Sequence, residues 1–177
     1  MDKKLPSEAS KFLLTMTSRL TKLFGDVVRY YNAFRGDETI FIDRHAWLEV
    51  LKFLKEDQAF AFNYLVDITC VDYMGQKPRF EIVAHLLSFS TMNRLRMKAR
   101  VPEDDPTIES LSHLWRGANW FEREVYDMFG IVFKNHPDLR RVLLYEEFVG
   151  HPLRKDYPLK KSQPLVFLTA PERPEDE

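Results

Sequence analysis

FEIVAHLLSFSTMNRLRMKARV, residues 80–101, is the stretch from which the fold can be read. Its opening part, Phe80–Leu87, is apolar at most positions, the pattern of a central strand covered on both faces. A turn follows through Ser88–Asn93, and then Leu95, Met97, Ala99 and Val101 alternate strictly with Arg94, Arg96, Lys98 and Arg100. That period of two describes a second strand with one apolar and one basic face. The polar exceptions in the first strand, Glu81 and His85, share a face but stand too far apart to hold one metal ion, and His85 reads as a satisfied core or subcore histidine. Four cations in a row could bind a polyanion, meet acids on an adjoining strand, or lie in solvent. With 26 basic and 27 acidic residues in the whole chain, the last two readings are favoured and nucleic acid is not expected as a partner.

Working upstream, Phe62, Tyr64, Val66 and Ile68 alternate with Asn63, Leu65, Asp67 and Thr69, which predicts a third strand, ending in a loop over residues 71–78. Before it, Asp43 is placed to cap a helix that buries Trp47, Val50, Leu51 and Leu54 and runs to about Lys55. Val27–Tyr31 and Thr39–Asp43 are short β-prone runs around Arg35-Gly36-Asp37, a hairpin turn rather than an adhesion motif. Leu5, Ala9, Phe12, Leu13, Met16, Leu20, Leu23 and Phe24 recur at helical spacing, a first amphipathic helix ending near Gly25. Downstream, Thr107 is read as the N-cap of a short helix with Ile108, Leu111 and Trp115 inward. The order of elements gives an α+β domain, one mixed or antiparallel sheet with helices packed on it, over residues 1–133. An extended C-terminal arm, 134–160, and a flexible tail, 161–177, follow.

The densest charge lies in Gly117–Pro158, GANWFEREVYDMFGIVFKNHPDLRRVLLYEEFVGHPLRKDYP. Asn119 as N-cap, Glu122 at capping-box spacing and Gly130 as a left-handed C-cap bracket a helix whose apolar stripe is Phe121, Val125, Met128 and Phe129. The other faces carry Glu122, Arg123, Glu124 and Asp127. With His136, these acids invite a metal or acid–base reading. Geometry weakens it: Glu122 and Glu124 point about 200° apart on a helix, and Arg123, four residues before Asp127, is placed to neutralise it. His136-Pro137-Asp138 is expected to open a one-turn helix with Arg140 and Arg141 toward its end. The run through His151, Arg154, Asp156 and Tyr157 is broken by prolines and gains little stability alone. Laid along another subunit, its Arg and aromatic side chains are of the kind that dominate interfaces.

Composition sets further limits. A chain of 177 residues is one domain, with or without an arm, and 45% apolar residues supply a core. One cysteine, Cys70, excludes an intrachain disulfide and an iron–sulfur site built by this chain alone. No run approaches the roughly 18 to 20 apolar residues that span a bilayer, and the basic, mixed N-terminus lacks the apolar core of a signal peptide. Neither a Gly-rich dinucleotide fingerprint nor a phosphate-binding loop occurs among six glycines. No serine, cysteine or lysine sits in a recognisable nucleophile motif.

ANWFEREVYDMFGI, HPDLRRVLL and GHPLRKDYPL, in that order, together with the upstream YLVDITCVDY, FEIVAHLLSF and RLRMKARVPEDDP, closely resemble the C subunit of the proton-pumping NADH:quinone oxidoreductase, respiratory complex I. The likeness covers about Phe60–Pro158; one departure is Asn135, where the family commonly has glycine, and Asn tolerates the left-handed backbone such a turn needs. The resemblance implies a structural subunit of the hydrophilic arm that binds no flavin, iron–sulfur cluster or quinone itself. It implies packing against the hydrogenase-like D subunit, which forms the quinone pocket with the B subunit, and beside other peripheral-arm subunits. FMN and the iron–sulfur clusters would belong to the assembled complex. The short chain suggests the bacterial form, held peripherally on the cytoplasmic face of the inner membrane through the assembly. An equivalent scaffold in a ferredoxin-, deazaflavin- or hydrogen-linked complex is the related alternative. A nucleic-acid-binding protein and a carboxylate-dependent hydrolase are the remote ones.

Overall fold

The structure, a computed structural model, describes residues 10–160, 162 and 163. Ser10 accepts the Leu13 amide at 3.0 Å and opens α1 (Lys11–Phe24), which buries Leu13, Met16, Thr17 and Leu20. Leu5 and Ala9, assigned to this helix from spacing, lie outside the described residues, and Leu23 faces out. The hairpin of β1 (Val28–Phe34) and β2 (Asp37–Ile42) closes through Arg35 and Gly36, both at positive φ (53° and 84°). That conformation suits the twist of a two-residue turn, and glycine adopts it without strain. Asp43 accepts the His45 amide at 2.9 Å and caps a single 3-10 turn that runs straight into α2 (Trp47–Glu56), where Trp47, Val50, Leu51 and Leu54 are buried as predicted.

The remaining long strands are β3 (Tyr64–Asp72), β4 (Phe80–Leu87) and β5 (Arg94–Val101). The sheet order is β1-β2-β5-β4-β3, with β2 and β5 parallel and every other pair antiparallel, so the sheet is mixed. The inward side chains of its strands form one buried cluster with the stripes of α1, α2 and α3 (Ala118–Phe129). The opposite face carries the basic row of β5. Glu81, 1% exposed, accepts Lys98 Nζ at 2.7 Å and Arg100 Nε at 2.9 Å, and Arg96 faces Asp37 at 3.4 Å. The Lys98 ammonium lies 5.1 Å from the Phe41 ring centroid, and the Arg100 guanidinium 4.2 Å from that of Tyr73. Three of the four cations are therefore paired with acids. His85 is half-buried on this face, and burial pushes its pKa down.

Two sequence expectations are corrected by the fold. In β3 the alternation predicts Tyr64 and Val66 inward with Ile68, but the register shifts between Leu65 and Asp67. The extra residue, Val66, inverts the alternation, so Leu65, Ile68 and Cys70 are buried while Tyr64 and Val66 face out. The helix expected from Thr107 is instead β6 (Thr107–Glu109), which pairs in parallel with β7 (Val132–Lys134). Thr107 Oγ1 donates to Asp105 Oδ1 at 2.7 Å and closes the preceding turn, while Ile108, Leu111 and Trp115 still reach the core.

Candidate partner-docking segment

The polar face of α3 is where the structure departs furthest from periodicity. Gly117, not Asn119, is the N-cap residue, and no side chain caps this end. At the other end Gly130 adopts the left-handed conformation (φ 74°, ψ 29°), and its N–H donates to the Tyr126 carbonyl at 2.8 Å. Glu122, Arg123 and Asp127, placed on the outer faces by the 3.6 repeat, are all buried; only Glu124 remains exposed. Arg123 and Asp127 are bound by the chain that returns after β7, whereas Glu122 is bound by Ser110 and Leu111, ahead of α3. Residues 136–157 form no regular helix or strand, so the one-turn helix expected at His136-Pro137-Asp138 is absent.

Asp127 is the centre of that return. One carboxylate oxygen, Oδ2, accepts the amides of Val142, Leu143 and Leu144 at 3.1, 2.9 and 3.0 Å. The other, Oδ1, accepts Arg141 Nη1 at 2.6 Å. Arg141 in turn donates through Nη2 to the carbonyls of Phe148 and Gly150. The expected partner of Asp127, Arg123, lies elsewhere: its Nε and Nη2 donate to the carbonyls of Arg140 and Arg141 at 3.1 and 3.0 Å. Burial alone would push the Asp127 carboxyl up. The Leu144 amide, the Arg141 guanidinium and the Leu143 and Val142 amides more than offset it and hold the pKa below the ordinary carboxylate value. The four donors, three on Oδ2 and one on Oδ1, hold this carboxylate as an ionised structural acceptor.

Glu122 behaves oppositely. It accepts Ser110 Oγ and the Leu111 amide, both at 2.6 Å, and burial raises its pKa to about 7 against those two bonds. His136 Nε2 stands 3.9 Å from it but donates to the Asn119 carbonyl at 3.2 Å, while Nδ1 accepts the Asp138 amide at 3.0 Å. Those contacts select the neutral ring, and burial lowers the His136 pKa accordingly. Because folding raises the Glu122 pKa from 4.5, its contribution to stability is full at acid pH and lost as pH rises through about 7. Glu122→Gln is therefore expected to flatten the pH dependence of unfolding between about pH 5 and 7, by up to about 3 kcal/mol relative to wild type. Chemical denaturation across that range, read as the difference between the two proteins, checks it.

The last part of the segment is fixed at the C-terminal end of α3. His151 Nδ1 donates to the Asp127 carbonyl at 3.0 Å, Leu153 N to that of Met128 at 3.1 Å and Arg154 Nε to that of Phe129 at 2.6 Å. Burial lowers the His151 pKa, as befits a neutral ring. The Arg154 guanidinium lies 5.1 Å from the Phe80 ring centroid, and Phe148 stacks on Tyr157 with centroids 6.1 Å apart. Arg79, just ahead of β4, completes the clasp. It donates to Asp72 through Nε and Nη2, both at 2.8 Å, and to Asp156 and Glu103 at 2.6 and 2.5 Å. Asp72 also accepts the Lys155 amide at 2.8 Å. The bond to Arg79 holds the pKa of Asp72 and of Asp156 below the usual carboxylate range. Pro137, Asp138 and Arg140 stay exposed, the last two as a 3.0 Å ion pair.

Gly130 is where this packing is tightest. A Cβ there would lie 2.5 Å from His151 Nε2 and 2.7 Å from Arg154 Nη2, on a backbone already at positive φ. Gly130→Ala is expected to cost about 1–3 kcal/mol from overpacking and left-handed strain, seen as a lower midpoint in thermal unfolding. Asn135 does adopt φ 62°, as its turn requires.

Sequence reading missed Arg79, Asp72, Glu103 and Ser110, and the extent to which residues 140–157 gain stability from their own chain. Among the described residues no group of three or more His, Cys, Asp or Glu could hold a metal ion, and no helix is long and apolar enough to cross a membrane. Cys70 is buried, and burial pushes its thiol up to about 12.

The molecule is thus a three-helix, mixed-sheet α+β domain in which Asp127 and Asp72 hold a C-terminal strap to the body. The chain belongs to the family of the 30 kDa subunit of respiratory-chain NADH dehydrogenase: the family description "Respiratory-chain NADH dehydrogenase, 30 Kd subunit" matches residues 40–163. It is 48% identical over 142 residues to the C subunit of NADH-quinone oxidoreductase from Citrifermentans bemidjiense, covering 80% of this chain and 87% of that one. It is 44% identical over 145 residues to the subunit of the same name in Roseiflexus sp., covering 82% and 83%. Among solved structures, a trypsin-resistant fragment of Nqo5 superposes with a TM-score of 0.60 at 32% identity, covering 72% of this chain and 99% of that fragment. A chain of an archaeal membrane-bound sulfane sulfur reductase shares the fold, with a TM-score of 0.68 at 20% identity over 85% of this chain and 88% of that one.

Proposed function

We propose that this chain is the non-catalytic C subunit of a bacterial NADH:quinone oxidoreductase and contributes the geometry of the peripheral arm rather than a reactive group. The observation that carries this reading is the condition of its acids within a chain of this family. Asp127 is saturated by four donors, Glu122 is bound by Ser110 and Leu111, and Asp72 and Glu81 are paired with arginine or lysine. Residues 134–160 are the docking segment. Their inner side is clasped to the body, while Leu143, Val149 and Leu153, each more than half exposed, face outward for a neighbouring subunit. That neighbour is the hydrogenase-like D subunit, with the B subunit beside it. FMN and iron–sulfur clusters on other subunits carry electrons from NADH to quinone with coupled proton translocation. The chain sits on the cytoplasmic face of the inner membrane through the assembly. NADH is favoured over ferredoxin, deazaflavin or hydrogen as donor because the relatives at 44–48% identity are named for NADH.

Co-expression with the B and D subunits, followed by affinity purification through this chain, tests the proposal. The expected result is a stable subcomplex, with the chain purified alone free of flavin and iron absorbance. Stoichiometric flavin or iron in the isolated chain, or failure to retain the D subunit, overturns it.

A further inference from the structure

The strap is tied to the Asp72 end of β3 and the Phe129 end of α3, and the opposite ends of the same two elements carry a surface its role leaves unused. There Tyr64–Val66, Gly117, Trp120 and Phe121 line an open hollow of about 520 Å³. Trp120 is 62% exposed, Tyr64 47% and Val66 44%; Phe89, 57% exposed, has its ring centroid 5.3 Å from that of Tyr64. Tyr64 and Val66 also line a second hollow, of about 350 Å³, that runs on across the sheet to Leu87 and Arg94, so the patch is continuous. An exposed aromatic cluster that passes into a charged rim marks an interaction site on a folded domain.

Two features of the fold shape the patch. The irregularity at Val66 is what turns Tyr64 and Val66 away from the core. Trp120 is braced by the Arg123 guanidinium, 5.0 Å from its ring centroid, and Arg123 is itself fixed by the Arg140 and Arg141 carbonyls. A braced aromatic loses little freedom on binding.

Charge indicates the partner. Arg116 lines the first hollow and Arg94 the second; both are exposed, and neither forms an ion pair among the described residues. Their neighbours are committed: Lys55 to the Leu114 carbonyl, and Arg96 to Asp37 on the far rim. We propose that this face docks a second polypeptide of the assembly, one that sets an apolar side chain against Trp120 and Tyr64 and carboxylates against Arg116 and Arg94. The inference rests on the proposed function only in drawing the partner from the same complex. Trp, Tyr and Arg are the residue types that concentrate binding energy, and guanidinium groups pair bidentately with carboxylates. Asp37 and Glu38 in the second hollow disfavour a polyphosphate backbone.

The test is photo-cross-linking in the assembled complex with p-benzoylphenylalanine in place of Trp120, or of Phe89 in a second variant. The expected product joins another subunit at a peptide with Asp or Glu within a few residues of an apolar side chain. Arg116→Glu should lower its yield about tenfold and Arg116→Lys by no more than about twofold, since a like charge at a rim repels the partner. Loss of assembly in Arg116→Glu with an unchanged melting midpoint of the isolated chain also supports the proposal. Products confined to residues 164–177 of this chain, to a second copy or to lipid overturn it, as does a yield that Arg116→Glu does not move. A parallel probe at Leu153 reports the strap, so cross-linking there but not at Trp120 removes this face and leaves the proposed function standing.

Discussion

Asp127→Ala is expected to lower the unfolding free energy by about 3–5 kcal/mol, the cost of breaking a buried charge pair by removing one partner. The substitution strands the Arg141 guanidinium and the amides of Val142, Leu143 and Leu144 together, because all four converge on this carboxylate. Neutralisation with little change of shape, Asp127→Asn, should cost less, since one oxygen still accepts, but its amide nitrogen meets donors where an acceptor is needed. The effect also has a pH signature. Folding depresses the Asp127 pKa, so its contribution is present above the ordinary carboxylate value and lost only as pH falls through the lower folded one. Wild type and Asp127→Ala should therefore differ fully at pH 7 and converge in strong acid. Urea unfolding at several pH values checks both points, and equal midpoints at pH 7 would show that Asp127 does not organise the segment. In cells, the same variant should leave the complex under-assembled, not assembled and inactive.

How much of this can be read from the chain follows from how far apart the interacting residues lie. The β4–β5 pair, the hairpin and the Asp43-capped helix each declare themselves within about twenty residues, because turn chemistry and periodicity are local. The strap is visible as prolines, arginines and aromatics in irregular order, and the family motifs within it are specific. Its internal partners are not visible. A helical repeat sends Glu122, Arg123 and Asp127 to solvent, and only chain more than ten residues away, Ser110 and Leu111 before the helix and residues 140–144 after it, turns that face into an interior. Arg79 lies 77 residues from Asp156, and nothing near either position announces the other. The short strand β6 is hidden for a related reason: its partner β7 follows α3, and a threonine after two prolines reads locally as a cap. The bulge at Val66 shows a third limit, since one extra residue inverts a pattern that is otherwise correctly identified as β.

Arg79→Ala is expected to release the end of the strap while leaving the helix–sheet core folded. The guanidinium is 6% exposed and bridges Asp72, on β3, to Asp156, in the strap, with Glu103 as a third partner. Its removal leaves the fully buried Asp72 with only the Lys155 amide and takes away the one cation bonded to all three carboxylates. The expected loss is again about 3–5 kcal/mol. Arg79→Lys should rescue it only in part, because one ammonium cannot reproduce two parallel bonds to Asp72 while also reaching Asp156. Asp156→Ala should cost less than Arg79→Ala, since Asp156 is 53% exposed and can be rehydrated. Coupling between the two, measured by the double variant, should nonetheless fall within about 0.5–3 kcal/mol. Local release is separable from global loss by limited trypsin digestion, because Arg154 and Lys155 lie in the strap beside Asp156. If Arg79 holds the clasp, cleavage there accelerates about tenfold or more at temperatures where the far-UV circular dichroism of the variant is still that of the native fold. Unchanged cleavage with a lowered melting midpoint would instead place Arg79 in the stability of the sheet and leave the strap to Asp127.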